Sequence, residues 1–235
     1  MQSLIQFLHE WKVQLYDTFI ADGYYVMLIE GFFNTILITL GALVIGVALG
    51  TLISVVKFLS EENPMLRPLR ALCDFYVTAI RGIPVVVLLL IFYFVILRSA
   101  NGLVTAIVTF GINSGAYMAE LIRGGIEAVE KGQTEAARSL GMSRIQAMRF
   151  VVFPQAVKNI LPSIGNEMIA LLKETSVAGY VAVQDLTRAA NLIRNNTYDA
   201  VNPLLVTAIV YLSLVVLLTM LLTRFEQKLR HSEAR

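Results

Sequence analysis

The sequence predicts an all-α integral membrane protein, and two observations carry that prediction. Apolar residues make up 57% of the chain, charged residues only 15%, and the mean hydropathy is +0.69. Several uncharged runs approach the roughly 20 residues that a helix needs to cross a hydrocarbon core of ~30 Å. We therefore expect most of the 235 residues to form helices inside a bilayer.

Five apolar segments follow one another, and each predicts one membrane crossing. They cover residues 31–56, 72–97 and 99–119, a less regular stretch that begins at Pro162, and residues 200–223. In the first, Gly46 and Gly50 stand four residues apart, a spacing that lets a second helix approach closely, and we predict a packing role for them. The second is interrupted by Arg81-Gly82-Ile83-Pro84, which combines a charge, a flexible residue and a helix breaker. We predict a break in the helix at this point.

The chain divides into a short N-terminal segment and one membrane domain. In residues 1–30, apolar side chains recur at helical spacing, which predicts an amphipathic helix at the bilayer interface. These apolar residues are Leu4, Phe7, Leu8, Trp11 and Leu15. No signal-peptide pattern is present in this segment, so we expect it to be retained. Residues 31–230 form the single transmembrane domain, with a polar loop at 57–70.

The positions of the basic residues predict the orientation. Of 19 Lys and Arg residues, 13 lie in three segments, 57–70, 123–158 and 224–235. The positive-inside rule assigns these segments to the cytoplasm. Five crossings then leave the N-terminus outside and the C-terminus in the cytoplasm.

A cytoplasmic stretch at 131–143 predicts two short helices that meet at a glycine. Thr134 is expected to cap the first helix, and Gly141 to end it in the left-handed conformation. Ser143 begins the second helix with a capping-box pattern, and we expect that helix to stop before Pro154. A helix of about six residues is unstable alone in water. We therefore predict that this stretch docks against another protein.

Composition and motifs exclude several functions. The net charge of +2 is small and the basic residues form no patch, which argues against nucleic acid as a partner. Cys73 is the lone cysteine, and His9 and His231 lie near opposite ends of the chain, so no metal site is predicted. No Gly-Lys-Ser or Gly-Lys-Thr is present, and no side chains are grouped for catalysis. We expect no enzyme activity and no cofactor on this chain.

Glu135-Ala136-Ala137, followed by Gly141 and Phe153-Pro154, resembles the EAA loop of permease subunits in bacterial ABC importers. Further motifs are similar to the polar amino acid uptake subfamily. They are Gly115-Ala116-Tyr117-Met118-Ala119-Glu120, Arg123-Gly124-Gly125-Ile126, Lys131-Gly132-Gln133, Pro154-Gln155-Ala156 and Lys173-Glu174-Thr175-Ser176. The chain departs from the pattern at Ile83, where many members have threonine, and at Phe153, where many have leucine.

The resemblance implies the type I ABC importer permease fold in the inner membrane of a bacterium. It also implies that the loop at about 127–158 docks into a groove of an ATPase subunit. The coupling residues would be Glu135, Ala136, Ala137, Ser139, Leu140 and Gly141. The implied partners are a dimer of ATPase subunits that bind ATP and Mg, a second permease chain, identical or homologous, an extracytoplasmic amino-acid-binding protein, and membrane lipid.

Four residues are candidates for substrate binding. Counting ~1.5 Å per residue places Ile83 and Asn113 about halfway through their spans and Glu167 nearer the cytoplasm, so they could face one cavity. Glu167 would accept the ammonium group of an amino acid, and Asn113 or Arg81 would donate to its carboxylate. The alternative is that Glu167 pairs with Arg81 or Lys173 and only braces the bundle.

These observations predict the transmembrane subunit of an ATP-driven importer for polar amino acids, working by alternating access. The alternative is a secondary transporter driven by an ion gradient, which would work without an ATPase. The sequence leaves open which amino acid is carried and whether the second permease is an identical chain.

Overall fold

The computed structural model describes residues 2–61 and 63–231, and every regular element in these residues is a helix. The α-helices are α1 (Gln2–Tyr16), α2 (Tyr25–Leu59), α3 (Arg67–Gly82), α4 (Val85–Ile91), α5 (Gly102–Glu127), α6 (Lys131–Ser139), α7 (Arg144–Ala147), α8 (Phe153–Glu174), α9 (Leu186–Thr197) and α10 (Asn202–His231). Short π-helical segments follow α1, α4 and α7 at Asp17–Ala21, Phe92–Ile96 and Met148–Val152. Two 3-10 segments, Pro64–Leu66 and Thr175–Val181, complete the path. The end of the basic tail, beyond His231, lies outside the described residues.

Within the described ranges, three helices are long and apolar enough to cross a membrane: α2, α5 and the Asn202–Lys228 part of α10. A fourth crossing is added if Pro64–Gly82 and Val85–Ile96 together form one bent span. α8 does not meet this criterion, since Glu167, Lys173 and Glu174 make it more polar. The predicted fifth crossing therefore stays a prediction.

The predicted break in the second span is confirmed. α3 ends at Gly82, Ile83 and Pro84 are extended with ψ of 130° and 134°, and α4 begins at Val85. Proline lacks an N–H and pushes the preceding residue out of the helical region, so this dipeptide separates two helices. Their axes differ by 108°.

α2 and α5 pack closely through two glycines four residues apart. A Cβ atom on Gly46 would lie 2.6 Å from Ser114 Oγ, and one on Gly50 would lie 2.4 Å from Met118 Cβ. Both distances are shorter than van der Waals contact, so only glycine allows this approach. The packing role predicted for the pair is confirmed.

Two predicted helix boundaries in the 143–174 region are wrong. The π-helical segment after α7 leads directly into α8, so the helix continues past Pro154. Pro154 directly follows the π-helical turn, so this irregular turn lies where proline interrupts the regular helical hydrogen bonds. Pro162 lies inside α8 rather than at its start. Helices inside membrane proteins tolerate such an internal proline because neighbouring groups satisfy the freed carbonyl.

The loop predicted at 57–70 is shorter than expected, because α2 continues to Leu59 and α3 begins at Arg67. At the other end of the bundle, α1 contacts the start of α10. Trp11 Nε1 donates to Asn202 Oδ1 at 2.5 Å, and Gln14 Nε2 donates to Asp199 at 3.3 Å. The side chains of Leu4, Phe7 and Leu8, which predicted an amphipathic helix, lie outside the described residues.

Asp185 joins the segment between α8 and α9 to the start of α2. Its carboxylate caps α9 by accepting from the amides of Thr187 and Arg188 at 3.0 and 3.2 Å. Burial raises the pKa of the Asp185 carboxyl group, against the opposite effect of these hydrogen bonds. A Cβ atom on Gly31 would lie 2.8 Å from the Asp185 carbonyl oxygen, so α2 begins directly against this capping turn.

Candidate functional site

Two polar contacts join α5 to α8 inside the bundle. Ser114 Oγ donates to Glu167 Oε1 at 3.0 Å, and Asn113 Nδ2 donates to Glu174 Oε2 at 3.4 Å. Asn113 and Ser114 are buried, and the two glutamates are partly buried. Seven residues separate the glutamates, so they lie about two turns, or ~10 Å, apart along one side of α8.

Neither glutamate has a cationic partner within the described part of the chain. The ion pair of Glu167 with Arg81 or Lys173, which is the alternative to substrate binding, is therefore absent from the described residues. Two carboxylates in a bundle interior without a cation are costly, because hydrogen bonds from neutral groups only partly replace hydration. This contact is a candidate site for a cationic ligand group.

The close approach of α2 supports the α5–α8 contact. Because a Cβ atom on Gly46 would lie 2.8 Å from Ser114 Cβ, the backbone of α2 fixes the position of Ser114. Ser114 in turn holds Glu167. Sequence reasoning found the glycine pair but missed Ser114, which looks like any small residue in a helix-packing motif.

Arg81 lies in a cleft between α2, α3 and α5 rather than beside Glu167. Its guanidinium Cζ is 5.2 Å from the centroid of the Tyr117 ring, and its Nη1 is 3.8 Å from Glu120 Oε2. Tyr117 and Glu120 follow Asn113 by four and seven residues, so this cleft lies ~6–10 Å further along α5 toward α6. Ile83, 37% exposed, lies at the α3–α4 break two residues from Arg81.

Glu120 is the centre of an ion-pair network along this cleft. Its carboxylate is 2.8 Å from Arg123, 3.8 Å from Arg81 and 3.9 Å from Lys57. Lys57 also pairs with Asp74 at 2.8 Å. The cleft has a volume of about 630 Å³. The spacing of Glu120 and Arg123 was visible in the sequence, whereas Lys57 and Asp74 approach only because α2 and α3 pack beside α5.

The 131–143 stretch forms α6, and its predicted start is wrong. The helix begins at Lys131, after Glu130 with φ −56° and ψ 129°, and no side chain caps it. Thr134 lies about one turn inside α6, so its side chain does not cap the start of the helix. The predicted end is correct, because Gly141 has φ +82° and its N–H donates to the Arg138 carbonyl at 3.0 Å.

α7 begins with the predicted capping box. The Gln146 amide donates to Ser143 Oγ at 3.2 Å, and the Ser143 amide donates to Gln146 Oε1 at 2.8 Å. Arg144, the first residue of α7, forms an ion pair with Glu61 and places its guanidinium 4.9 Å from the centroid of the Phe58 ring. α7 is therefore attached to the end of α2.

The residues predicted for coupling divide into one buried and five exposed positions. Ala137 is 3% exposed and packs α6 onto its own chain, whereas Leu140 is 81% exposed. The other exposed positions are Glu135, Ala136, Ser139 and Gly141. Nearby, Ile145 and Phe150 are 55% and 62% exposed. This arrangement offers an apolar surface on an otherwise polar segment, and such a surface fits a protein partner.

Membrane-length helices, unpaired carboxylates in the bundle and an exposed helical segment define a membrane transport subunit, or permease. Residues 46–231 match the family described as binding-protein-dependent transport system inner membrane component. The chain belongs to this family, which confirms the family predicted from the EAA-like motifs.

Named relatives and solved structures agree with this assignment. The chain is 39% identical over 197 residues to a protein of Rickettsia bellii named as a glutamine transport system permease, covering 82% of this chain and 90% of that protein. It is 35% identical over 210 residues to the arginine transport system permease ArtQ of Bacillus subtilis, with coverage of 88% and 94%.

A crystal structure of an amino acid ABC transporter with histidines aligns with a TM-score of 0.82 at 38% identity, over 87% of this chain and 95% of that one. An inward-facing structure of the MetNI methionine ABC transporter aligns with a TM-score of 0.74 at 21% identity, over 86% and 96%. The second likeness shows the fold alone. Together they confirm an all-helical permease fold.

Proposed function

We propose that this chain is the membrane-spanning subunit of an ATP-driven importer for polar amino acids. The names of the relatives and of the more similar solved structure, which refer to glutamine, arginine and histidines, support this substrate class. The observation that carries the proposal is the α5–α8 contact, where Glu167 and Glu174 have hydrogen bonds but no cation. Every α-amino acid supplies a cation in its ammonium group.

The proposal includes five crossings of a bacterial inner membrane, with the N-terminus outside and the C-terminus in the cytoplasm. α8 is then the fourth crossing, and its glutamates face the substrate path rather than lipid. The concentration of basic residues in 57–70, 123–158 and the tail supports this orientation. It places α6 and α7 on the cytoplasmic side.

In the proposed site, Glu167 accepts the ammonium group of the substrate and Asn113 donates to its carboxylate. Ser114 orients Glu167, as its 3.0 Å hydrogen bond indicates. Ile83 forms an apolar wall at the α3–α4 break. A carboxylate near the membrane centre costs roughly 3 kcal/mol. Binding a cation recovers part of this cost, which favours occupancy of the site.

The proposed coupling surface consists of the exposed residues of α6 and α7. Leu140 and Ile145 would enter an apolar groove of the ATPase dimer, which binds ATP and Mg, while Ala137 fixes α6 to the permease from behind. A second permease chain and an extracytoplasmic amino-acid-binding protein complete the assembly. Burying side chains as large as leucine typically contributes about 1.5–3 kcal/mol each, so a few of them can hold such a contact.

The test is Glu167→Gln in the assembled complex in liposomes, with uptake and substrate-stimulated ATPase activity measured together. Losing a charged hydrogen-bond partner costs about 1.5–3 kcal/mol, so the apparent affinity should fall roughly 10- to 100-fold. Glu127→Gln is the control, because Glu127 is an exposed partner of Arg123 on α5. Unchanged affinity in the Glu167 variant would contradict the proposed site.

The alternative, a secondary transporter, differs in one measurable respect. It would accumulate amino acids in liposomes that contain only this chain and an ion gradient. The importer needs the ATPase chain and ATP. Gradient-driven uptake by the isolated chain would therefore overturn the proposal.

A further inference from the structure

We infer that the cleft between α2, α3 and α5 is a second amino-acid site, in which Arg81 binds the carboxylate of the substrate after it leaves Glu167 and Asn113. The inference rests on the proposed function for the identity of the ligand as an amino acid. The contacts of Arg81 that support the inference are structural observations and do not depend on the proposed function.

Arg81 is held in place but keeps its hydrogen-bond donors free. Tyr117 supports the guanidinium at 5.2 Å, within the range of a cation–π contact. The nearest carboxylate, Glu120, is 3.8 Å away, too far for a hydrogen bond, and already accepts from Arg123 at 2.8 Å. Across the described residues, Arg81 donates no hydrogen bond to a protein acceptor. A planar guanidinium with free donors is suited to a bidentate carboxylate ligand.

The rest of the cleft suits the remaining parts of an amino acid. Thr78 is exposed and makes no hydrogen bond to any residue that the structure describes. Asp74 already pairs with Lys57 at 2.8 Å and with Arg70 at 3.8 Å, so Arg81 supplies the main contact to the ligand. Nothing lies within 4 Å of a Cβ position on Gly82, so the wall beside Arg81 is open. The volume of about 630 Å³ exceeds what one amino acid needs.

The location of the cleft excludes two simpler explanations. A guanidinium whose side chain is 42% exposed cannot face hydrocarbon without a large cost. The cleft must therefore open to water or to a polar partner surface. It is also separate from the first site, because Arg81 pairs with Glu120 and not with either glutamate of α8.

Cysteine labelling in the assembled complex tests the inference. Cys73 is first replaced by Ser, and Thr78→Cys then places one thiol in the cleft. Asp74 and Glu120 are offset by their closer partners Lys57 and Arg123, whereas Arg81 has no carboxylate within hydrogen-bond distance. The anionic reagent 2-sulfonatoethyl methanethiosulfonate should therefore label the introduced thiol faster than its trimethylammonium counterpart, by about tenfold. Arg81→Met should abolish this preference. Met65→Cys, 86% exposed and outside the cleft, is the control and should show no dependence on Arg81.

Ligand protection then distinguishes an amino-acid site from a general anion site. A mixture of the 19 protein amino acids other than cysteine should slow labelling of Thr78→Cys along a saturating curve. Histamine, agmatine and cadaverine, which lack the carboxylate, should not. Arg81→Lys should keep the preference for the anionic reagent but weaken protection about tenfold, because lysine loses bidentate geometry. This variant also serves if Arg81→Met fails to assemble.

Two outcomes would overturn the inference: no protection by the amino-acid mixture, or equal protection with and without Arg81. Uptake measured on the same preparations separates this failure from failure of the proposed function. Uptake that depends on Glu167, together with an unprotected cleft, refutes only the second site. A complex that carries no amino acid refutes the proposed function, whatever the labelling shows.

Discussion

Replacing Gly50 with alanine should force α2 and α5 apart. The added Cβ atom would lie 2.4 Å from Met118 Cβ and 2.8 Å from the Ala119 backbone nitrogen. Ordinary contact begins near 3.4 Å, so the helices must separate by 3.4 − 2.4, or about 1 Å. Because one neighbour is backbone, a rotamer change cannot relieve the overlap. Overpacking of this kind costs about 1–3 kcal/mol.

A smaller opposing effect comes from helix propensity. Alanine is favoured over glycine inside a helix by about 1 kcal/mol, so the net loss for Gly50→Ala should be about 0–2 kcal/mol. Gly124→Ala on α5 isolates the propensity gain, since nothing lies within 4 Å of its Cβ position. This control should be stabilised by roughly 0.5–1 kcal/mol.

Thermal unfolding of the two variants in detergent, followed by circular dichroism, measures the difference. With about 3 °C per kcal/mol for a chain of this size, Gly50→Ala should unfold several degrees below Gly124→Ala. Uptake should fall as well, because Ser114 lies on the same face of α5 as Met118. Separating the helices would therefore also shift the hydrogen-bond partner of Glu167. Equal unfolding temperatures for the two variants would show that the helices do not pack as closely as the structure places them.

Three further predictions concern the segments outside the central contact. Gly141→Asp should abolish uptake without loss of the membrane fold, and full transport by this variant would refute the coupling role. Gly23→Asp is the control and should retain uptake, because Gly23 has a similar φ (+77° against +82°) and, like Gly141, no atom within 4 Å of its Cβ position. Arg144→Ala should uncouple ATP hydrolysis from uptake by releasing α7 from α2. Arg149→Ala, which loses a contact with the neighbouring Phe150 ring, is the control and should stay coupled. Equal uptake by the two variants would contradict the role of Arg144. Because the pKa of Asp185 is raised in the folded protein, its contribution to stability is complete below the unfolded pKa of about 3.9 and is lost as pH rises through the folded pKa. The unfolding temperature should therefore fall as pH rises from about 4 to 8. Asp185→Asn, which keeps a capping side chain, should lose this pH dependence.

Much of the local structure could be predicted from sequence because its causes are local. Pro84 and the residue before it break α3 from α4, whatever packs around them. Gly141 adopts a positive φ, and Ser143 with Gln146 forms a capping box, because these features involve only neighbouring residues. The Gly46–Gly50 spacing predicted a close helix contact for the same reason.

The failures involve features that depend on distant residues. Pro162 was expected to begin a helix, but α8 continues through it, supported by the surrounding bundle. Threonine is a common N-cap residue, yet the helix begins at Lys131, before Thr134. The substrate residues were grouped by depth, and depth alone could not show that Arg81 pairs with Glu120. That pairing depends on the rotation of α3 against α5, which no sequence period encodes.

α2 contacts three separate parts of the molecule. Its N-terminal end abuts the Asp185 turn, and its middle abuts Ser114 through Gly46. Its C-terminal end is tied to α7 by the contacts of Phe58 and Glu61 with Arg144. α2 is a single α-helix of 35 residues, so a displacement at one end must tilt the whole rod. Because no side chain separates Gly46 from Ser114, such a tilt cannot leave the hydrogen bond to Glu167 unchanged. The geometry thus gives a direct mechanical path from the segment proposed to contact the ATPase to the carboxylate proposed to bind substrate.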